Sequence, residues 1–181
     1  MATVKINPEL ERKLDGLARA LDKKAVLRVG FLEGATYPDG TPVAMVAATQ
    51  NFGAPSRGIP PRPFFTNFVK NNEGEWGEQL ARLLKGTNGD VERALNIMGL
   101  GMKGQLQQSI VDTLAPPLSP ITLMLRKMQY DDPSLVVSGA TVGEAARRVA
   151  AGEDYSDAPT KPLVWSGHML ASVDYEVDTA Q

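Results

Sequence analysis

The chain of 181 residues contains no cysteine and a single histidine, His168. Without thiols there is no disulfide scaffold, thiol nucleophile, iron–sulfur cluster or usual structural zinc site. Histidine-dependent catalysis must rest on His168 or not exist. An excess of one charge sign is also missing: Lys plus Arg number 19 against 21 Asp plus Glu, a formal net charge of −2. That balance argues against a duplex-DNA reader held by phosphate neutralisation, although it leaves room for a local basic patch. Long apolar runs are absent as well. The stretch from Val43 to Ala48 is far short of the ~20 residues that a membrane span needs. The opening MATVKINPELERKL becomes charged within a few residues, with no apolar core of an export signal. A place in a cytoplasm, away from membranes, is therefore expected.

What is present suits one folded domain. Hydrophobic residues make up 43% and charged residues 22%, values ordinary for globular chains. The length suffices to bury a core without staples. Asn7 and Pro8 open a helix whose Leu10, Leu14, Leu17 and Leu21 recur at helical spacing. This amphipathic segment, residues 1–22, either docks on its own domain or is lent to a neighbouring subunit. Val26 to Leu32 reads as a strand with Leu27, Val29 and Phe31 on one face. Pro38-Asp39-Gly40 marks a turn. Pro42 to Asn51 reads as a short alanine-rich helix ended by Gly53.

Pro60, Pro61 and Pro63 then stiffen an extended loop. Pro63 starts a helix to about Leu84, with Phe64, Phe65, Phe68 and Trp76 on it. Gly74 and Gly77 predict a kink or break in its middle. Asp90 caps a long helix to about Thr113, with a stripe of Val91, Leu95, Met98, Met102, Leu106 and Ile110. Ser119 and Pro120 open a shorter helix. Residues 131–161 read as an inserted helix with flexible flanks, in which Thr141 and Glu144 have the form of a capping box. Leu163 to Trp165 reads as a short strand, and Ser172 to Asp178 alternates as another. Pairing of the early and late strands against long helices predicts an α+β fold with a small antiparallel sheet.

Little of this is chemical. Gly99-Leu100-Gly101-Met102-Lys103-Gly104 matches G-x-G-x-x-G, but a dinucleotide site needs a strand before the glycines and a helix after them. Here they fall inside a helical pattern, where close helix packing or a bend explains them. Ser109, Ser166 or Ser172 can be paired with His168 on paper, but no spacing selects one. The acidic pairs Asp131-Asp132 and Glu153-Asp154 lack the loop pattern of a calcium site. Pro60 to Pro63 contains a P-x-x-P spacing that an SH3-like domain reads, although the apolar sequence around it argues for a place in the fold. Arg57, Arg62 and Lys70 flank that loop and offer a phosphate or acidic contact. No cofactor, metal or catalytic residue is expected, and the chain reads as a non-enzyme.

Four blocks nonetheless resemble a family. They are Val29-Gly30-Phe31-Leu32-Glu33-Gly34-Ala35-x-Tyr37 with Asp39-Gly40; Val43-Ala44 through Asn51-Phe52-Gly53; Ile59-Pro60-Pro61-Arg62-Pro63-Phe64-Phe65; and Lys161-Pro162-Leu163-Val164-x-Ser166-Gly167-x-Met169-Leu170 leading into Val173-x-Tyr175-x-Val177. Pro116-Pro117-Leu118-Ser119-Pro120-x-Thr122 fits as a proline-rich bend. In this order they resemble the neck, or tail-completion, proteins of tailed bacteriophages, small head–tail joining proteins that shade into the virion-morphogenesis proteins. Two departures stand out. Gln50 occupies a place where an acidic residue is common, and the 131–160 segment is longer than the usual short connection.

The resemblance implies a structural virion protein that forms a ring, a hexamer, between the head connector or stopper and the tail terminator or tail tube. Genomic DNA would pass through it without specific contact. Its expected place is the virion neck, with assembly in the host cytoplasm. A tail terminator or minor tail protein is the neighbouring alternative. A small enzyme or ligand-binding domain using His168 is the alternative of a different class. Ile59, Pro60, Pro61, Arg62 and Phe64, with Leu10, Leu14, Leu17 and Leu21, are the expected subunit contacts.

Overall fold

The computed structural model describes residues 25–179. The helix expected over 1–22, with Leu10, Leu14, Leu17 and Leu21, lies outside the described residues. Two strands from opposite ends of that range meet. β1 (Ala25–Phe31) pairs antiparallel with β2 (Val173–Thr179), from Ala25 opposite Thr179 to Phe31 opposite Val173. The period of two turns Leu27, Val29, Phe31 and Val173 towards the core. On the other face Arg28 pairs with Glu176 at 3.0 Å. Two strands alone are marginal in water and need a partner surface.

That surface is a long antiparallel helix pair. α1 (Val43–Phe52) comes first, then α2 (Phe64–Gly86) and α3 (Val91–Asp112). α2 runs without interruption past Gly74 and Gly77, against the expected break. A Cβ at either glycine would meet nothing within 4 Å. Both therefore lie on an open side, while Phe68, Trp76, Leu80 and Leu83 hold the helix to the core. Asp90 caps α3 by accepting a hydrogen bond from the Arg93 N–H at 3.0 Å. The expected stripe is buried through Leu95, Met98, Met102, Leu106 and Ile110. α3 also lies against both strands. Gly99 sets that approach: a Cβ there would collide with the Tyr175 ring and stand 2.9 Å from Leu27 Cδ1. The glycine motif is thus a packing feature at its first position, and Gly101 and Gly104 face open space.

Two more helices form an appendage. α4 (Pro120–Asp131) starts at Ser119, whose hydroxyl accepts from the Thr122 N–H. α5 (Gly139–Ala150) is the inserted helix. Its capping box is set by Ser138 and Thr141, not by Thr141 and Glu144. Glu144 instead pairs with Arg147 and Arg148. The two helices share their own small core of Met124, Met128 and Ala145. The flanks carry local side-chain bonds. Asp132 accepts from Ser134 and Asp154 from Ser156, while Lys127 meets Asp157 at 2.9 Å.

Leu163 to Trp165 does not form the expected strand. The carbonyls of Pro159, Lys161 and Pro162 just before it are taken by the Arg126 guanidinium, and Pro162 has no N–H for a ladder. Leu163 is buried all the same. A single helical turn, α6 (His168–Ala171), leads into β2.

Candidate functional site: the proline loop and its arginine anchors

The loop of the third sequence block starts where α1 ends. Gly53, with φ of 77°, turns the chain out of the helix. A Cβ at this position would stand 2.8 Å from Pro61 N and 2.9 Å from Ile59 O. Left-handed backbone and close approach both demand glycine. Ala54 and Ile59 then exchange backbone hydrogen bonds of 2.8 and 3.1 Å around the tight turn Pro55–Arg57. The Arg62 N–H closes the loop back onto Gln50 O at 2.8 Å.

Asn51 ties the loop to the next helix. It is 3% exposed. Its Oδ1 accepts from the Phe65 and Thr66 N–H groups at 2.9 and 3.2 Å, and its Nδ2 donates to Thr66 Oγ1 at 2.9 Å. Helix starts leave N–H groups without partners. Pro63 precedes α2 and supplies no side-chain cap, so Asn51 performs that task from the neighbouring helix. Sequence reasoning left Asn51 as the end of a helix. The available signal was an amide beside a proline-started helix with no Ser, Thr or Asp ahead of it.

The five loop residues expected to contact a neighbour divide into two groups. Phe64 is fully buried, with its ring edge-on to Phe31 at 6.2 Å. Ser109 Oγ donates to its carbonyl at 2.7 Å. Arg62 is 5% exposed. Its Nε donates to Pro116 O at 3.1 Å, Nη1 to Gln50 Oε1 at 3.2 Å and Nη2 to Pro117 O at 3.4 Å. As surface contacts these two are corrected: one is core, and the other clamps the loop to the proline bend. Alternation about the extended backbone turns Pro61 outward while Arg62 and Phe64 turn in. Pro60 and Pro61 are exposed, and Ile59 is half-buried. The outward part of the site is therefore a proline ledge, with the 74%-exposed Phe52 nearby on the rim of an apolar groove.

Arg126 is the second anchor, and sequence reasoning missed its role. It is 7% exposed. Nη1 donates to Pro159 O and Lys161 O, both at 2.8 Å, and Nη2 to Pro162 O at 3.0 Å. Its guanidinium lies 5.0 Å from the centre of the Trp165 ring, a cation–π contact. Burial lowers its proton affinity below the ordinary arginine value, and the neighbouring Arg62 charge lowers it further. Arg62 is lowered by burial alone.

His168 forms a separate cluster. Its Nε2 lies 2.9 Å from Thr36 O, and its ring stacks on Tyr37 with centroids 4.6 Å apart. Burial, then the charge of Asp39, raises the Tyr37 phenol above its ordinary value. The three serines are engaged elsewhere: Ser109 with Phe64 O, Ser172 with His168 O, and Ser166 as acceptor of the His168 N–H. No serine hydroxyl is bonded to the imidazole. The imidazole is a fastener between the early turn and the last helical turn. Compared with known proteins, the chain matches no protein-family model, no curated protein and no solved structure.

Proposed function

We propose that this chain is a structural joining protein of a tailed-phage neck, acting as one subunit of a ring between the head connector and the tail. The observation that carries the reading is the build of the Ile59–Phe65 block. Its arginine and first phenylalanine are buried, and Pro60 and Pro61 stand outward on a closed loop. Stiff, pre-ordered surface loses little entropy when it is buried against a neighbour. A ring needs two different faces that meet on rotation, and the proline ledge with Phe52 supplies one face. The near-balanced charge suits a channel that lets DNA slide rather than holding it. Connector or stopper protein on one side, and terminator or tail tube on the other, are the partners this reading requires.

The decisive experiment is sedimentation of the purified full chain over rising concentration, alone and with the connector of the same particle, alongside electron microscopy of particle necks. A ring, or a connector-bound assembly, is expected. Pro60→Asp should abolish it while leaving the thermal midpoint nearly unchanged. A chain that stays monomeric under all these conditions and is missing from purified particles would refute the reading.

A further inference from the structure

The two least exposed basic side chains among the described residues, Arg62 and Arg126, both line one groove. Gln50, Ile59, Pro60, Pro117, Ser119, Thr122 and Pro162 complete most of its wall, and it encloses about 400 Å³. Neither arginine has a carboxylate partner among the described residues. Among more exposed cations, Arg28, Arg82, Lys103, Lys127, Arg147 and Arg148 form ion pairs. Charges withdrawn from water are normally the ones that are paired. Here they are held by backbone carbonyls and the Gln50 amide oxygen, which orient a guanidinium without neutralising it. Arginine carries five N–H donors. The three bonds of Arg126 come from its Nη atoms, so its Nε–H has no partner among the described residues. The positive end of the α4 dipole opens on the same groove through Ser119 and Thr122.

We infer that this groove is a carboxylate-binding site. The guanidinium fork matches the two oxygens of a carboxylate. The apolar rim of Ile59, Pro60, Pro117 and Pro162 suits the aliphatic stem of such a ligand. Both charges are recessed, so the phosphates of a rigid duplex do not reach them. The inference does not depend on the neck reading, because it concerns the chemistry of the groove.

The test is thermal unfolding of the full chain in sodium acetate, with sodium chloride at equal ionic strength as reference and inorganic phosphate as a third arm. Acetate is expected to raise the midpoint along a saturating curve, as a ligand of the native state does, and chloride is not. Gln50 Oε1 already touches Arg62, so Gln50→Glu places a carboxylate inside the groove. That variant is expected to start from a higher midpoint and to bind acetate at least about tenfold more weakly. Should it not fold, Thr122→Glu on the rim carries the same expectation for acetate. Equal responses to acetate and chloride overturn the inference. So does an undiminished acetate response in the variant. Phosphate binding about tenfold tighter than acetate also overturns it, in favour of a phosphoryl ligand.

Discussion

Gly99→Ala is the sharpest perturbation of this fold, because the same helix carries its own controls. In the interior of an exposed helix, glycine to alanine stabilises by about 1 kcal/mol. Gly101 and Gly104 sit in α3 with nothing within 4 Å of a would-be Cβ. Each should therefore gain about 0.5–1 kcal/mol on change to alanine. At Gly99 the same methyl meets the Tyr175 ring and stands 2.9 Å from Leu27 Cδ1. Those side chains belong to the two strands, so relief requires the sheet to move off the helix. Overpacking of this kind costs about 1–3 kcal/mol. The propensity gain of about 1 kcal/mol offsets part of it, which leaves a net loss of about 0–2 kcal/mol. The gap between Gly99→Ala and either control is then about 2 kcal/mol, or roughly 4–8 °C in midpoint for a chain of this size. Urea unfolding followed by circular dichroism measures it. If Gly99→Ala proves as stable as Gly101→Ala, the close contact between α3 and the sheet is refuted. Equal losses at all three glycines would refute it too and would reopen a shared role for the G-x-G-x-x-G spacing.

Three further outcomes follow from the same geometry. Asn51→Ala strands the Phe65 and Thr66 N–H groups and should cost about 2 kcal/mol, seen as a lower urea midpoint with an unchanged slope. Phe64→Ala should cost about 3–5 kcal/mol, whereas Pro60→Asp should stay within about 1 kcal/mol; a stable Phe64→Ala protein would place that ring outside the core. The carboxyls of Asp174, held down first by the Lys103 hydrogen bond, and of Glu144, held down first by Arg148, lie below their ordinary values. The unfolded chain therefore takes up protons first as the pH falls. The stability these groups add is whole above the ordinary carboxylate range near pH 4 and drains away below it. Lys103→Met should flatten that acid limb without altering stability differences between pH 6 and 8.

Much of the fold was legible because its signals are local. The caps at Asp90 and Ser119 act within three residues, and the stripe of α3 repeats every turn. The alternation of both strands needs only period two. The failures were non-local. The glycines of α2 were expected to kink or break it, but its packing face runs through Phe68, Trp76 and Leu83, and the helix is continuous across both. The Leu163–Trp165 strand was lost to Arg126, which lies more than thirty residues earlier and takes the carbonyls. The capping box moved because Ser138, Thr141 and Glu144 all satisfy local rules, and tertiary contacts selected the first two.

The candidate site shows the same division. Its stiffness was written in Pro60, Pro61 and Pro63, since a fixed φ and a missing N–H belong to the residue itself. Its polarity of presentation was not. Arg62 and Phe64 look like the most reactive and most adhesive members of the block, yet they point inward. The sequence by itself determined the two paired strands, most of the described helices and the rigid loop, and that the chain has no thiol and a single histidine. Only the tertiary structure decided which side of the loop faces outward, which glycine of the α3 motif bears a contact, and that two distant arginines line one groove with no acid paired to them among the described residues. Propensity and periodicity act over a turn or two of chain. Burial and charge pairing are settled between residues that the chain brings together only when it folds.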